Sequence, residues 1–159
     1  MRTIMGIDPG LGRTGYGIIQ EDHGAMVLVD CGCVLTEIRG PIGRRLVELY
    51  DDIVELLENY QPDLVVLEDL YFNKNVTTGI QVGEARGVLL LAAEQLQIPV
   101  IAFTATQVKH AVTGSGAATK AQVAQMVKKL LKFSSKRALK DDTTDALALA
   151  ICGSTVRTK

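Results

Sequence analysis

Two short apolar runs, each ending in an acid, constrain the fold of this 159-residue chain more than any other feature. Thr3 to Asp8 and Leu64 to Glu68 read as buried strands, because nothing charged interrupts either run before its terminal carboxylate. An unpaired charge at the end of a central strand is costly, so Glu68 in particular demands a partner or an ion. Asp142 and Asp145 open the last helical segment and, three residues apart, share one helix face. Glu68 and Asp142 lie far apart in the chain, and two strands and a helix bring all four acids together only within one layered α/β unit. Carboxylates without His or Cys beside them suit a hard cation, Mg²⁺ or Mn²⁺. One or two such ions activate water and stabilise a leaving oxygen at a phosphodiester.

Each acid also has a plainer reading. Asp8 precedes Pro9-Gly10, where an Asp often hydrogen-bonds its own turn. Asp142 and Asp145 complement the dipole of a helix start, with Asp141 as an N-cap. Asp69 falls on the opposite side of the strand from Glu68 and is expected in solvent.

The remaining pattern predicts strands at Gly15 to Glu21 and Ala25 to Thr36, separated by a His23-Gly24 turn, so that the first three strands form a meander. Ile42, Leu46, Leu49, Ile53, Leu56 and Leu57 recur at helical spacing before Pro62. A helix from Gly79 to Gln97, apolar on most of its circumference, precedes a strand at Val100 to Phe103. Helices follow at Thr104 to Val112 and from Thr119, a capping box with Gln122, to Lys132, with Thr113 to Gly116 as a flexible loop between them. The last helix is expected from Asp142 to about Ile151. Together these predict an α/β fold, a mixed five-stranded sheet flanked by helices, as a single domain over residues 1–152 with a flexible tail at 153–159. Gly10-x-Gly12 lacks a third glycine and opens no helix, which argues against a dinucleotide fold.

Net charge is −1, but the charges are segregated. Residues 1–94 hold 15 acids and 7 bases, whereas residues 95–140 hold 8 bases and no acid. Such a run is commonly a solvated helix face. Placed directly before two candidate ligands, it also fits phosphate binding. Cys31, Cys33 and Cys152 form no CxxC pair and indicate neither a disulfide framework nor a zinc site; Cys31 and Cys33 are expected on one face of a strand. Nothing in the sequence is apolar for long enough to span a bilayer, and a cytoplasmic protein is the expectation.

Six motifs in order then resemble one family: Gly6-Ile7-Asp8-Pro9-Gly10 with Thr14-Gly15-Tyr16-Gly17, Leu67-Glu68 leading to Asn73-Lys74-Asn75, Gly83-Glu84-Ala85-Arg86-Gly87, Gln107-Val108-Lys109, Lys120-Ala121-Gln122-Val123, and Asp142-x-x-Asp145-Ala146-Leu147-Ala148. They are similar to those of the RuvC family of bacterial Holliday-junction resolvases. The resemblance implies a ribonuclease H-like fold, a homodimer, Mg²⁺-dependent nicking of two opposed strands of a four-way DNA junction, and cooperation with the RuvA and RuvB branch-migration proteins. It places the acidic ligands on Asp8, Glu68, Asp142 and Asp145 and the active-site lysines on Lys109 and Lys120. The Asp141-Asp142 doublet leaves the register of the third ligand open. Of Tyr71 and Phe72, Tyr71 aligns with the aromatic that stacks at the junction centre, and Lys74 and Arg86 join the candidate DNA contacts. Gly79, Gly83 and Gly87 recur every fourth residue, each costing up to ~1 kcal/mol against Ala in a helix. They suit either close contact with the helix's own sheet or, by resemblance, the dimer interface. Alternatives to a junction resolvase are a ribonuclease H-like enzyme acting on RNA or other branched nucleic acid, and a junction-binding module without catalysis. An actin-like ATPase needs a second comparable half that the chain is too short to supply.

Overall fold

Strands β1 (Arg2–Asp8), β2 (Arg13–Asp22) and β3 (Ala25–Leu35) form an antiparallel meander in the computed structural model, which describes residues 1–37, 39–69, 76–132 and 141–156. A two-residue turn joins β2 to β3, and His23 and Gly24 both take positive φ (49° and 87°), the handedness that matches strand twist. Helix α1 (Ile42–Tyr60) crosses to β4 (Leu64–Glu68), and α2 (Val76–Gln95) crosses to β5 (Val100–Phe103). Helices α3 (Ala105–Thr113), α4 (Lys120–Leu130) and α5 (Asp141–Ser154) complete the chain. The sheet order is β3-β2-β1-β4-β5, with β4 parallel to both β1 and β5. This is the mixed five-stranded sheet that the sequence predicts.

Strand alternation sorts side chains into two cores. Met5, Ile7, Ile18, Val65 and Leu67 face α1 and α2, where Leu49, Ile53, Leu57, Ala85 and Leu89 are buried. Ile4, Ile19, Leu64 and Val66 face α3, α4 and α5. Cys31 and Cys33 share that second face: Cys31 lies against its core, and Cys33 Sγ is 3.4 Å from Thr143 Oγ1 in α5. Thr104 and Thr119 cap α3 and α4 with reciprocal Gln107 and Gln122 contacts.

Most boundaries shift from expectation by a residue or two; those of α2 and α5 shift further. Helix α2 starts at Val76 rather than Gly79. Helix α5 reaches Ser154 rather than stopping near Ile151, because Gly153 fits where a side chain would meet Val66 and Ile4, and Arg2 Nη1 then donates to the Val156 carbonyl at 2.7 Å. Among the described residues no helix is long and apolar enough to cross a membrane.

Candidate metal centre at the carboxyl end of the sheet

The pairing of β1 with β4 puts Ile7 beside Leu67, so the next residues, Asp8 and Glu68, emerge side by side at the carboxyl ends of two parallel strands. Alternation points both toward the α5 side, since Ile4 and Gly6 precede Asp8 on that face and Leu64 and Val66 precede Glu68. The turn after Asp8 is closed by Thr14, whose hydroxyl donates to the Gly10 carbonyl at 2.7 Å.

Helix α5 comes to these strand ends because the strands beneath it lack side chains. A Cβ at Gly6 would collide with the backbone of Ala146 and Ala150, one at Gly17 with Leu147, and one at Gly15 with the backbone of Asp142. Gly6 pairs with Gly17 across the ladder and Asp8 pairs with Gly15, so the bare patch lies directly beneath the helix start. The first turn of α5 therefore rests against the end of β1 and β2 and carries Asp142 and Asp145, both half-buried, to Asp8 and Glu68.

Burial pushes the Asp8 carboxyl up from 3.8 to about 7, and the charges of Asp145, Glu68 and Asp142 add to the shift against a smaller opposing effect of Lys120. Glu68 is also raised, by burial and then by Asp145, while Lys120 and Lys109 oppose. Asp142 rather than Asp141 acts on Asp8; Asp141 is exposed and its charge bears on Lys120 instead. Lys120, first residue of α4, donates to Asp145 at 3.0 Å, and this hydrogen bond raises the pKa of the ammonium. Arg13 Nη1, at the start of β2, is 3.3 Å from Asp142 Oδ2. Glu68, Lys109, Lys120 and Asp145 supply the polar wall of a cleft of about 380 Å³ with an apolar floor that includes Val108 and Leu149.

Among the described residues, no three His, Cys, Asp or Glu side chains close on a common point as a finished metal cage. Like charges hold the carboxylates apart, and Arg13 and Lys120 each engage one of them. The donor set nevertheless fits a hard divalent cation: four carboxylates on element ends, with Asp8 strongly raised by burial and then by the neighbouring acids.

The other predicted residues divide. Lys109 is half-buried in α3 and lines the cleft. Arg86, a candidate DNA contact, has a side chain only 17% exposed and lies 4.0 Å from Asp69 Oδ1, beside the residue after Glu68. Tyr71, Phe72 and Lys74 lie outside the described residues. Gly83 and Gly87 do not press on their own sheet: a Cβ at either would meet nothing within 4 Å. Gly79, Gly83 and Gly87 instead follow the outward side of α2, which also presents exposed Ile80, Leu90 and Leu91. Sequence reasoning missed Arg13, for which no local signal existed. It also missed the seating role of Gly6, Gly15 and Gly17, although glycine at alternate positions inside apolar strands signals close backbone approach.

Residues 4–153 match the family model "Crossover junction endodeoxyribonuclease RuvC". A protein of that name from Pelotomaculum thermopropionicum is 46% identical over 149 residues, 94% of this chain and 90% of the relative. The structure of RuvC from T. thermophilus in complex with a Holliday junction substrate superposes with a TM-score of 0.90 at 30% identity, covering 97% of this chain and 93% of that one. The yeast mitochondrial Holliday junction resolvase Ydc2 is similar in fold alone, with a TM-score of 0.65 at 14% identity over 94% of this chain and 77% of that one.

Proposed function

Because the chain belongs to the RuvC family of crossover junction endodeoxyribonucleases, we propose that it resolves four-way DNA junctions by hydrolysing one phosphodiester in each of two opposed strands. The fold is ribonuclease H-like and the enzyme is a metal-dependent, structure-selective endonuclease. The observation that carries the reading is the convergence of Asp8, Glu68, Asp142 and Asp145 at one end of the sheet beside a cleft walled by Lys109 and Lys120. These four acids would hold Mg²⁺, two ions per site, with Mn²⁺ as a substitute. When bound, the ions supply an activated water and counter-charge for the leaving oxygen, giving 5′-phosphate and 3′-hydroxyl ends.

The chain's own residues do the rest. Asp8, a buried carboxyl that feels the charges of the other three acids, would be one of the residues holding the ions. Glu68 and Asp145 border the cleft, where a scissile phosphate can approach. Lys120, held by Asp145 at 3.0 Å, would offer its ammonium to that phosphate when Asp145 serves as a ligand. Lys109 approaches from α3 on the same wall. Tyr71, with Phe72 as its neighbour, would stack on a base unpaired at the crossover.

Paired nicks need two sites related by a two-fold axis. The outward stripe of α2, Ile80, Gly83, Gly87, Leu90 and Leu91, supports a homodimer across that helix: it is apolar, exposed and free of side chains where two helices would cross. RuvA and RuvB as partners, the cytoplasm as location, and residues 1–152 as one catalytic domain complete the proposal.

The test is a denaturing gel of an end-labelled four-way junction with and without Mg²⁺. Symmetric nicks that ligase reseals are expected, and Asp145→Asn should remove them while junction binding persists. Binding without any cleavage by the unaltered chain would favour a non-catalytic junction module, and preferential cutting of an RNA substrate would favour the other nuclease.

A further inference from the structure

The cationic side chains around the acid cluster are not all on one side of it. Lys109 and Lys120 stand on α3 and α4, beyond β4 toward the β5 edge. Arg13 stands at the start of β2, across β1 from Glu68. Asp8 pairs with Gly15, so Arg13, two residues nearer the start of β2, projects past the end of β1 on the same face as Gly15 and the acids. β2 and β5 are three strand spacings apart, about 14 Å. The acids lie between.

The attachment of Arg13 is a weak one. A single Nη1 contact of 3.3 Å joins it to Asp142, and half of the Arg13 side chain is exposed. An ion pair of this kind contributes little on its own and exchanges readily for another anion. Any divalent cation taken up by the acid cluster competes directly with the guanidinium for Asp142, and a displaced guanidinium at a solvent-facing edge retains five donors suited to phosphate oxygens.

We propose that Arg13 is a DNA-backbone contact on the far side of the site from Lys109 and Lys120, exchanging Asp142 for a phosphate a few nucleotides from the scissile one once a cation engages Asp142. This inference rests on the nuclease reading given above and adds the path of the strand: from the α3 and α4 wall, over Glu68 and Asp8, to the start of β2. Arg13 does not touch the reacting atoms. Its work is to fix the register of the strand, so that the phosphate between the two cationic walls is the one presented to the acids.

Affinity for a labelled four-way junction is measured against salt concentration in Ca²⁺, as a cation that supports binding, and again in EDTA, for the unaltered chain, Arg13→Ala and Arg13→Lys. Melting curves check that each variant folds, which the exposure of Arg13 favours. In Ca²⁺, Arg13→Ala should weaken binding by roughly tenfold at low salt and make the log–log salt slope shallower by about one phosphate contact, roughly 0.7 to 0.9, while Arg13→Lys keeps the slope. In EDTA the difference should shrink, because Asp142 retains the guanidinium. A single methylphosphonate scanned along the cleaved strand should reproduce the Arg13→Ala loss at one position and leave the variant indifferent to it. Equal slopes for the unaltered chain and Arg13→Ala in Ca²⁺ would overturn the contact, and an undiminished difference in EDTA would overturn the exchange. If the unaltered chain, titrated in parallel with a duplex of the same length, shows no preference for the junction, the junction-resolving reading fails instead, whatever Arg13 does.

Discussion

Replacing Asp8 by Asn should make the metal-free protein more stable while abolishing cleavage, and the stability gain should have a definite pH signature. The Asp8 carboxyl lies at about 7 in the folded chain against an ordinary value of 3.8, through burial first and then through Asp145, Glu68 and Asp142. An acid raised by folding binds its proton more tightly in the native state, so stability falls as pH rises between the two values. Well below pH 3.8 Asp8 is protonated in both states and the penalty is absent. Well above pH 7 it is ionised in both and the penalty is complete. A rise of this size corresponds to about 4 kcal/mol; partial exposure of the site and relaxation of its neighbours reduce the effective figure to about 2 to 4 kcal/mol. For a domain of this size that is roughly 5 to 15 °C in Tm. The assay is thermal melting of the unaltered chain and Asp8→Asn in EDTA from pH 5 to pH 8.5. Roughly a third of the difference should be present at pH 5 and all of it by pH 8, and added Mg²⁺ should raise the unaltered chain toward the variant. If Asp8→Asn is no more stable at pH 8, or if the gain does not grow between pH 5 and pH 8, the electrostatic account of the cluster is wrong.

Lys109→Ala and Lys120→Ala should lower the single-turnover nicking rate more than junction affinity, whereas Lys128→Ala and Lys129→Ala should change affinity or nothing; equal small binding losses for all four would reduce the lysines to a diffuse patch. Gly15→Ala should cost about 1 to 3 kcal/mol by chemical denaturation and depress nicking further, because the added methyl displaces the start of α5; unchanged stability would refute the close seating. Leu91→Glu, on the outward face of α2, should yield a folded monomer by sedimentation that nicks without pairing its cuts, and a persistent dimer would move the interface elsewhere.

The sequence made the strand ends legible because burial and alternation act over a few residues. Asp8 and Glu68 follow unbroken apolar runs, so their position at the edge of a covered sheet follows from local pattern alone. Capping boxes at Thr104 and Thr119 are local as well. Only the Thr119 box was anticipated. What stayed hidden depends on contacts between distant segments. Arg86 entered the candidate DNA contacts through its motif alone, and its neighbour across the strand end, Asp69, cannot be read from that motif. The two faces of α2 are both apolar, so periodicity could not say which covers the sheet; Ala85, Leu89, Ala92 and Ala93 do, and the glycines face outward. The pair of Arg13 with Asp142 spans nearly the whole chain and leaves no trace in either neighbourhood.

The same close seating that delivers the acids also sets the cost of having them. Gly6, Gly15 and Gly17 let the backbone of α5 settle on β1 and β2, which removes water from around Asp8 and brings Asp142 and Asp145 toward it. Larger residues at those glycines would lift the helix, hydrate the carboxylates and relieve their repulsion. The cluster would then be less strained and less suited to gather a cation. Lys120 and Arg13 hold two of the four charges in the meantime through exposed single contacts, weak enough to yield to a divalent ion. Local instability at this end of the sheet and affinity for a cation therefore arise from one geometric feature, and a substitution that reduces one should reduce the other.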